Sequence, residues 1–272
     1  MVLQESKSAM TAISTITSIS QGHLNIWETC RRKYQYSYLE ALSLPEADLD
    51  SKARSQLGSK FHLLMQQKEL GLNVAALASS EAKLQDWLTV FDQHPPDMIA
   101  GDRLCEHRRT LEKNGDRDQG AFVLTAIYDL LILGDRQAQI LDWKTHQLAI
   151  AADKLQANWQ TRLYLYVLAE TTNYAPEQLF MTYWFANTAQ SVIIAYSQAE
   201  HEQTEKRLQQ ILIDIAQALA SFQDNSQDNP QLSMHSATCN YCEFRDRCDR
   251  GHILTSATPS NIEDIPEIMI FS

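Results

Sequence analysis

Long apolar runs are missing from this sequence. No uninterrupted stretch in its 272 residues approaches the ~20 needed to span a bilayer. The first ten residues, MVLQESKSAM, lack the charged and apolar regions of a signal peptide. A cytoplasmic protein with no membrane partner is the expectation. Glycine (8) and proline (7) are scarce while hydrophobic residues make up 44%, which excludes a low-complexity or fibrous chain and fits a globular one. Positive charge is also short, with Lys+Arg 23 against Asp+Glu 34 and a net charge of −11. A protein that coats nucleic acid electrostatically is therefore excluded. An enzyme with a local groove is not, because metal-binding carboxylates count as negative yet present a positive site once loaded. Five cysteines, three of them close together near the C-terminus, suit metal ligation in a reducing compartment better than disulfides. Internal repeats and helicase motifs are absent as well, so any unwinding of a duplex falls to another chain.

What is present is organised around residues 121–144, AFVLTAIYDLLILGDRQAQILDWK. Two β-rich apolar runs flank a Gly134-Asp135-Arg136 turn, the pattern of a hairpin. Side chains alternate along a strand, so Val123, Thr125, Ile127 and Asp129 share one side. Ile140, Asp142 and Lys144 likewise share one. Asp129, Asp142 and Lys144 can then converge at one end of an otherwise apolar ribbon. Buried carboxylates need positive partners, and Mg²⁺ favours one or two carboxylates plus waters and phosphate oxygens. A lysine beside them can orient or help deprotonate an attacking water. An isolated Asp-x-Lys is common, and its plainer reading is a strand ending in a solvated charge pair.

Upstream, residues 1–17 form an expected lead-in, and Ser20 caps a helical pattern on which Leu24, Trp27, Cys30, Tyr34 and Tyr38 recur. Arg31-Arg32-Lys33 is the densest basic cluster, read as a solvated face, with Tyr34, Tyr36 and Tyr38 suited to stacking on bases. After a loop at 45–50, a helix over 55–70 carries Gly58-x-x-x-His62, where glycine allows close approach and His62 lies one turn on. Residues 73–100 read as helix and then loop, and residues 104–112 as a strand bearing Glu106 and a structural Cys105. A single helix is expected over 155–171, with Gln160 and Tyr164 on one face. Strands over 179–185 and 191–196, a helix over 198–222 and a polar loop at 223–230 follow.

Cys239, Cys242 and Cys248 form Cys-x₂-Cys-x₅-Cys. A tetrahedral site or a cubane needs a fourth ligand. Cys30, Cys105 and, for zinc, His235 or His252 are candidates. Spacing alone leaves structural Zn²⁺ and iron–sulfur both open.

In this order the motifs resemble the RecB-type, CRISPR-associated exonuclease-like branch of the PD-(D/E)XK nuclease superfamily, in its iron–sulfur form. The resemblance runs from Ser18 to Cys248. It rests on Ser18-x-Ser20 with Cys30, Gly58 and His62, Asp129, Asp142-x-Lys144-Thr145, Gln160-x-x-x-Tyr164, and the final cysteine trio. It implies an α/β fold with a restriction-endonuclease-like core, a mixed β-sheet flanked by helices, and a single nuclease domain over 18–252 followed by a tail at 253–272. It further implies Mg²⁺ or Mn²⁺ on His62, Asp129, Asp142 and the Trp143 carbonyl. Lys144 would activate water, with Gln160 and Tyr164 placing Lys144 or the phosphate. A [4Fe–4S] cluster on Cys30, Cys239, Cys242 and Cys248, within the segment 239–248, would join the two ends of the chain. The implied activity is DNA hydrolysis, exonucleolytic on single strands or free ends, with a helicase, CRISPR or repair protein as partner.

Two departures stand out. The family's Gly-Arg-Ile-Asp is Ala126-Ile127-Tyr128-Asp129 here, and Arg31 follows Cys30 where proline is common. The first leaves room for a catalytically idle DNA-processing or DNA-binding subunit. A zinc-stapled interaction protein is a third possibility.

Overall fold

The computed structural model describes residues 16–42, 49–114, 121–223, 228–231 and 236–251. In chain order the elements are β1 (Ile16–Ile19), α1 (Gln21–Thr29), α2 (Arg31–Tyr34), a π-helical turn Gln35–Leu39, α3 (Leu49–Glu69), α4 (Ala75–Ala78), α5 (Ala82–Gln93), β2 (Asp102–Asn114), β3 (Ala121–Leu133) and β4 (Ala138–Lys144). Then come α6 (Ala152–Ala157), α7 (Trp159–Glu170), β5 (Leu179–Phe185), β6 (Gln190–Ala195) and α8 (Gln198–Gln223), with short 3₁₀ turns at Ala237–Tyr241 and Asp246–Cys248. β1 begins at Ile16, so two residues of the expected lead-in belong to a strand.

The six strands make one mixed sheet. β3 is antiparallel to β2 along most of its length and antiparallel to β4 from Leu130↔Leu141 to Leu133↔Ala138. β4 runs parallel to β5 through the α6–α7 crossover, and β6 closes the far edge antiparallel to β5. β1 pairs parallel with the start of β3, from Ile16↔Ala121 to Ile19↔Leu124. A strand has two edges, and β2 takes one of them. β1 and β4 therefore share the other, and neither pairs with β3 between Thr125 and Asp129. That gap positions the site.

Helices cover both faces. On one, α1, α7 and α8 pack Leu24, Trp27, Leu163, Val167, Leu208 and Ile211 against Leu124, Tyr128, Ile140 and Met181. On the other, α3 and α5 pack Phe61, Leu64, Trp87 and Phe91 against Leu130, Leu141, Trp143 and Trp184. Strands covered on both faces read as near-continuous apolar runs, and all seven residues of β4 are buried, Asp142 and Lys144 among them. The turn between β3 and β4 needs its glycine, because a Cβ on Gly134 would lie 2.7 Å from the Ala100 carbonyl oxygen.

Two expected helices are broken. Cys30 has extended backbone (φ −164°, ψ 116°) between α1 and α2. Its N–H donates to the Ile26 carbonyl while its own carbonyl accepts from Tyr34 N–H, so it serves as the end of one helix and the start of the next. The expected helix over 155–171 divides at Asn158, whose side chain accepts the Gln160 N–H at 2.8 Å and so caps α7. Removing this cap with Asn158→Ala is expected to cost about 1 kcal/mol. The check is a fall of roughly 2–4 °C in the thermal midpoint, with cleavage also weakened because the cap holds Gln160 in place.

Candidate active site

The site is built at the point where two ladders break together. Along β3 the even positions Phe122, Leu124, Ala126 and Tyr128 join the α7-side core, whereas Leu130 and Ile132 join the α3-side core and Leu131 the α7 side. The alternation therefore slips by one residue beside Asp129. The β2–β3 rungs Cys105↔Leu130 and His107↔Tyr128 are formed, but the intervening rung between Glu106 and Asp129 is not. The β3–β4 ladder likewise stops at Leu130↔Leu141, one rung short of setting Asp129 against Asp142.

Released from both ladders, Asp129 turns to the α3 face. Its Oδ1 lies 3.1 Å from His62 Nδ1, and its Oδ2 accepts the Trp143 N–H at 2.8 Å. Gly58, one turn before His62, lets α3 approach the end of β4: a Cβ there would lie 3.3 Å from Thr145 Oγ1. Glu106 joins this pair from β2. One ligand atom from each of His62, Glu106 and Asp129 can be chosen so that all lie within 4.8 Å of one another.

On the α7 face a second network is buried. Asp142, Lys144 and Gln160 are 3%, 6% and 7% exposed. Lys144 Nζ lies 2.8 Å from Asp142 Oδ2 and donates to Gln160 Oε1 at 3.0 Å, while Gln160 Nε2 donates to Asp142 Oδ1 at 2.6 Å. Each member thus meets two others in a ring, which is how a charge pair withstands removal from water. Tyr164, one turn further along α7, sets its ring edge-on to Tyr128 at 5.3 Å, and its carbonyl accepts the Tyr128 hydroxyl at 3.1 Å. Tyr128 therefore supports the helix that carries Gln160, from the position where the resembling family has isoleucine.

The expected residues thus make two linked sets of contacts. His62 and Asp129 meet on the α3 face, and Asp142, Lys144 and Gln160 meet on the α7 face. Trp143 joins them, through its amide N–H on Asp129. A divalent ion suits the first group chemically, because its carboxylate oxygens take Mg²⁺ or Mn²⁺ and its imidazole nitrogen admits a first-row ion. The sequence puts Glu106 on a strand without marking it for any role. Only the register of β2 on β3, which sets it opposite Asp129, could have pointed to it.

The cysteines gather elsewhere. Cys30, Cys239, Cys242 and Cys248 line one cavity of about 300 Å³, its open mouth included, together with Tyr36, Phe244 and Arg250. None is in a disulfide. Arg250, itself 9% exposed, donates from a guanidinium nitrogen to Cys239 Sγ at 3.0 Å. Burial pushes the Cys242 thiol up to about 11, the Cys30 sulfur adding to the rise. A shared metal centre stabilises such sulfurs as thiolates, so the donor set fits a thiophilic one. Cys105 instead packs in the α3-side core, and His235 and His252 lie outside the described residues.

The basic run has a use the sequence did not disclose. Arg31 pairs with Asp214, Arg32 with Asp228 and Lys33 with Glu243. Tyr34 and Tyr36 are buried, and Tyr36 packs on Phe244 at 5.2 Å. Tyr38 stacks on His23 with ring centres 4.0 Å apart. Through these ion pairs and Tyr36 the run holds helix α8 and the cysteine-bearing C-terminal segment against the N-terminal helices, while Arg31 and Tyr38 keep exposed surface.

The central ladder thus opens beside the acidic residues Asp129 and Asp142, with the buried Lys144 two residues beyond the second. The family model of the PD-(D/E)XK nuclease superfamily matches residues 18–249, and the chain belongs to that superfamily. Of the solved structures, 28 chains match. One, described as the crystal structure of SSO0001, is 14% identical over 85% of each chain with a TM-score of 0.35. No curated protein matches. Among the described residues no helix is long and apolar enough to cross a membrane.

Proposed function

We propose that the protein is a Mg²⁺- or Mn²⁺-dependent deoxyribonuclease, of the RecB-like type, that hydrolyses DNA from free or single-stranded ends in repair, recombination or CRISPR-related processing. The single observation behind the reading is the buried Asp142–Lys144–Gln160 ring joined through the Trp143 amide to Asp129 and His62. His62 and Asp129 would hold the divalent ion, with Asp142 and the Trp143 carbonyl reaching it from β4. The ion supplies Lewis-acid charge where a phosphodiester gains negative charge during hydrolysis. Lys144 holds its ammonium beside Asp142 and can orient the attacking water or exchange a proton with it. Gln160 fixes the direction of that ammonium from the other side, and Tyr164 sets where α7 lies. The four cysteines would carry a [4Fe–4S] cluster whose task is structural, fixing the end of the chain to its beginning.

A second reading, an idle DNA-processing subunit, draws on the engagement of both Asp142 oxygens by Gln160 and Lys144. End-labelled single- and double-stranded DNA separates the two. Wild-type protein with Mn²⁺ should release labelled products, and both EDTA and Asp129→Asn should stop it. A wild type that leaves both DNAs intact at every Mn²⁺ and Mg²⁺ concentration tried would leave the idle subunit as the better reading.

A further inference from the structure

Glu106 is exposed and has φ 46° in the middle of a thirteen-residue strand. That is the left-handed region, which glycine enters freely and a side-chain-bearing residue enters at a cost. The ladder is regular on both sides of it, so the distortion is confined to the one rung where Glu106 faces Asp129. Its effect is specific. Cys105 packs in the α3-side core and the Glu106 carboxylate also reaches that face, within 4.8 Å of ligand atoms on Asp129 and His62. Regular alternation would have sent the two to opposite faces.

The grouping is more than an acidic patch, since an imidazole nitrogen on α3 completes it from a third element. Two carboxylates brought this close repel each other unless a positive charge lies among them. Two carboxylate oxygens and one imidazole nitrogen, one of the carboxylates open to solvent, are a donor set for a divalent first-row ion with positions left for water and a phosphate oxygen. We propose that Glu106 is a metal ligand of the active site, completing with His62 and Asp129 a three-residue set on the α3 face. This rests on the metal-dependent reading above and adds to it a ligand outside the motifs that define the superfamily resemblance.

The test is Mn²⁺ binding without DNA, followed by loss of the free-ion electron paramagnetic resonance signal. It compares wild type, Glu106→Gln, Glu106→Gly and, as a control on the same strand, Glu112→Gln. Glutamine keeps the size of the side chain and removes its charge, and glycine relieves the backbone at φ 46°. Both Glu106 variants should bind Mn²⁺ at least about 10-fold more weakly, the smallest loss expected even for an outer partner of a ligand, and Glu112→Gln should match wild type. Without metal, Glu106→Gly should keep or raise the thermal midpoint. Wild-type affinity in both Glu106 variants would overturn the assignment and leave the nuclease reading standing. Absence of Mn²⁺ binding by the wild type would remove both together. A lowered midpoint in both metal-free variants would mark Glu106 as structural and also overturn the assignment.

Discussion

Lys144→Ala is expected to lower Mn²⁺-dependent DNA cleavage by about 10²–10⁴-fold, the range for removing a group that moves or steers a proton in the transition state. It is also expected to destabilise the protein. Lys144 and Asp142 form a pair with side chains only 8% and 4% exposed, and removing one partner leaves a buried charge uncompensated, at about 3–5 kcal/mol. Gln160 would still donate to Asp142 Oδ1, so the lower half of that range is expected. A loss of activity could then be put down to unfolding, and the double variant Lys144→Met with Asp142→Leu resolves the ambiguity. Replacing a buried pair by apolar groups of similar volume is neutral or stabilising by about 1–4 kcal/mol. The amide of Gln160 loses both partners in the exchange, which costs about 1–3 kcal/mol. The double variant should therefore melt close to wild type and cleave nothing. Chemical denaturation and the end-label assay read the two quantities separately. Cleavage that survives in the double variant would remove Lys144 and Asp142 from the chemistry.

Most of the strands and the crossover were legible because hydrophobic period and turn chemistry agree there. The hairpin around Gly134, the strand at 179–185 and the long helix after Ser197 have unambiguous patterns, and the structure places them within a residue or two. What failed was continuity. A period near 3.6 runs on through Cys30 and through Asn158, and nothing in the apolar spacing says that either is a break. At Asn158 the break is a side-chain cap, a signal that was present, since asparagine favours that position. At Cys30 the local sequence is silent, and the extended residue makes sense only beside a cavity whose other cysteines lie some 200 residues away.

For the candidate site, the sequence singles out residues that meet in the structure, Glu106 excepted, but not how they meet. Strict alternation does not anticipate the slip beside Asp129, where Asp129 meets His62 while Asp142 and Lys144 meet Gln160. Such a slip leaves no trace in composition, because it is set by pairing between β2 and β3. For the same reason Glu106 passed as an ordinary strand residue. The basic run shows the converse. Three consecutive cations invite a surface or nucleic-acid reading, and only tertiary structure shows each of them matched by an acid far along the chain. The acidic groups that make the net charge unfavourable for DNA are in part the partners of these cations.

Cys30→Ala should have the largest effect on stability, if the four cysteines hold a [4Fe–4S] cluster. Protein purified without oxygen is then expected to be brown and to contain about four iron and four sulfide per chain, and the variant to lose most of both. A link between Cys30 and Cys239 closes roughly 200 residues of chain, and by the loop-closure relation for a covalent crosslink this amounts to about 5 kcal/mol of restriction on the unfolded state. The local contacts that would remain are ion pairs such as Arg247 with Glu40, each worth about 0–1 kcal/mol at the surface, the hydrogen bonds of Gln35 and Arg32 to Asp228 and Asn229, and the packing of Tyr36 on Phe244. They are too weak to hold the segment alone. The variant should therefore become sensitive to proteolysis near residues 228–251 before the β-sheet core does, and chelation of iron from the wild type should reproduce the effect. Cys105→Ala is the control, since Cys105 packs in the α3-side core and its loss should leave iron and colour unchanged. Colourless protein with one zinc and no sulfide, lost again in Cys30→Ala, would replace the cluster by a zinc site with the same clasping role. Unchanged metal content in Cys30→Ala would show that the N-terminal helices contribute nothing to the centre, and the docking of the C-terminal segment would then rest on the ion pairs, the Gln35 and Arg32 hydrogen bonds and Tyr36.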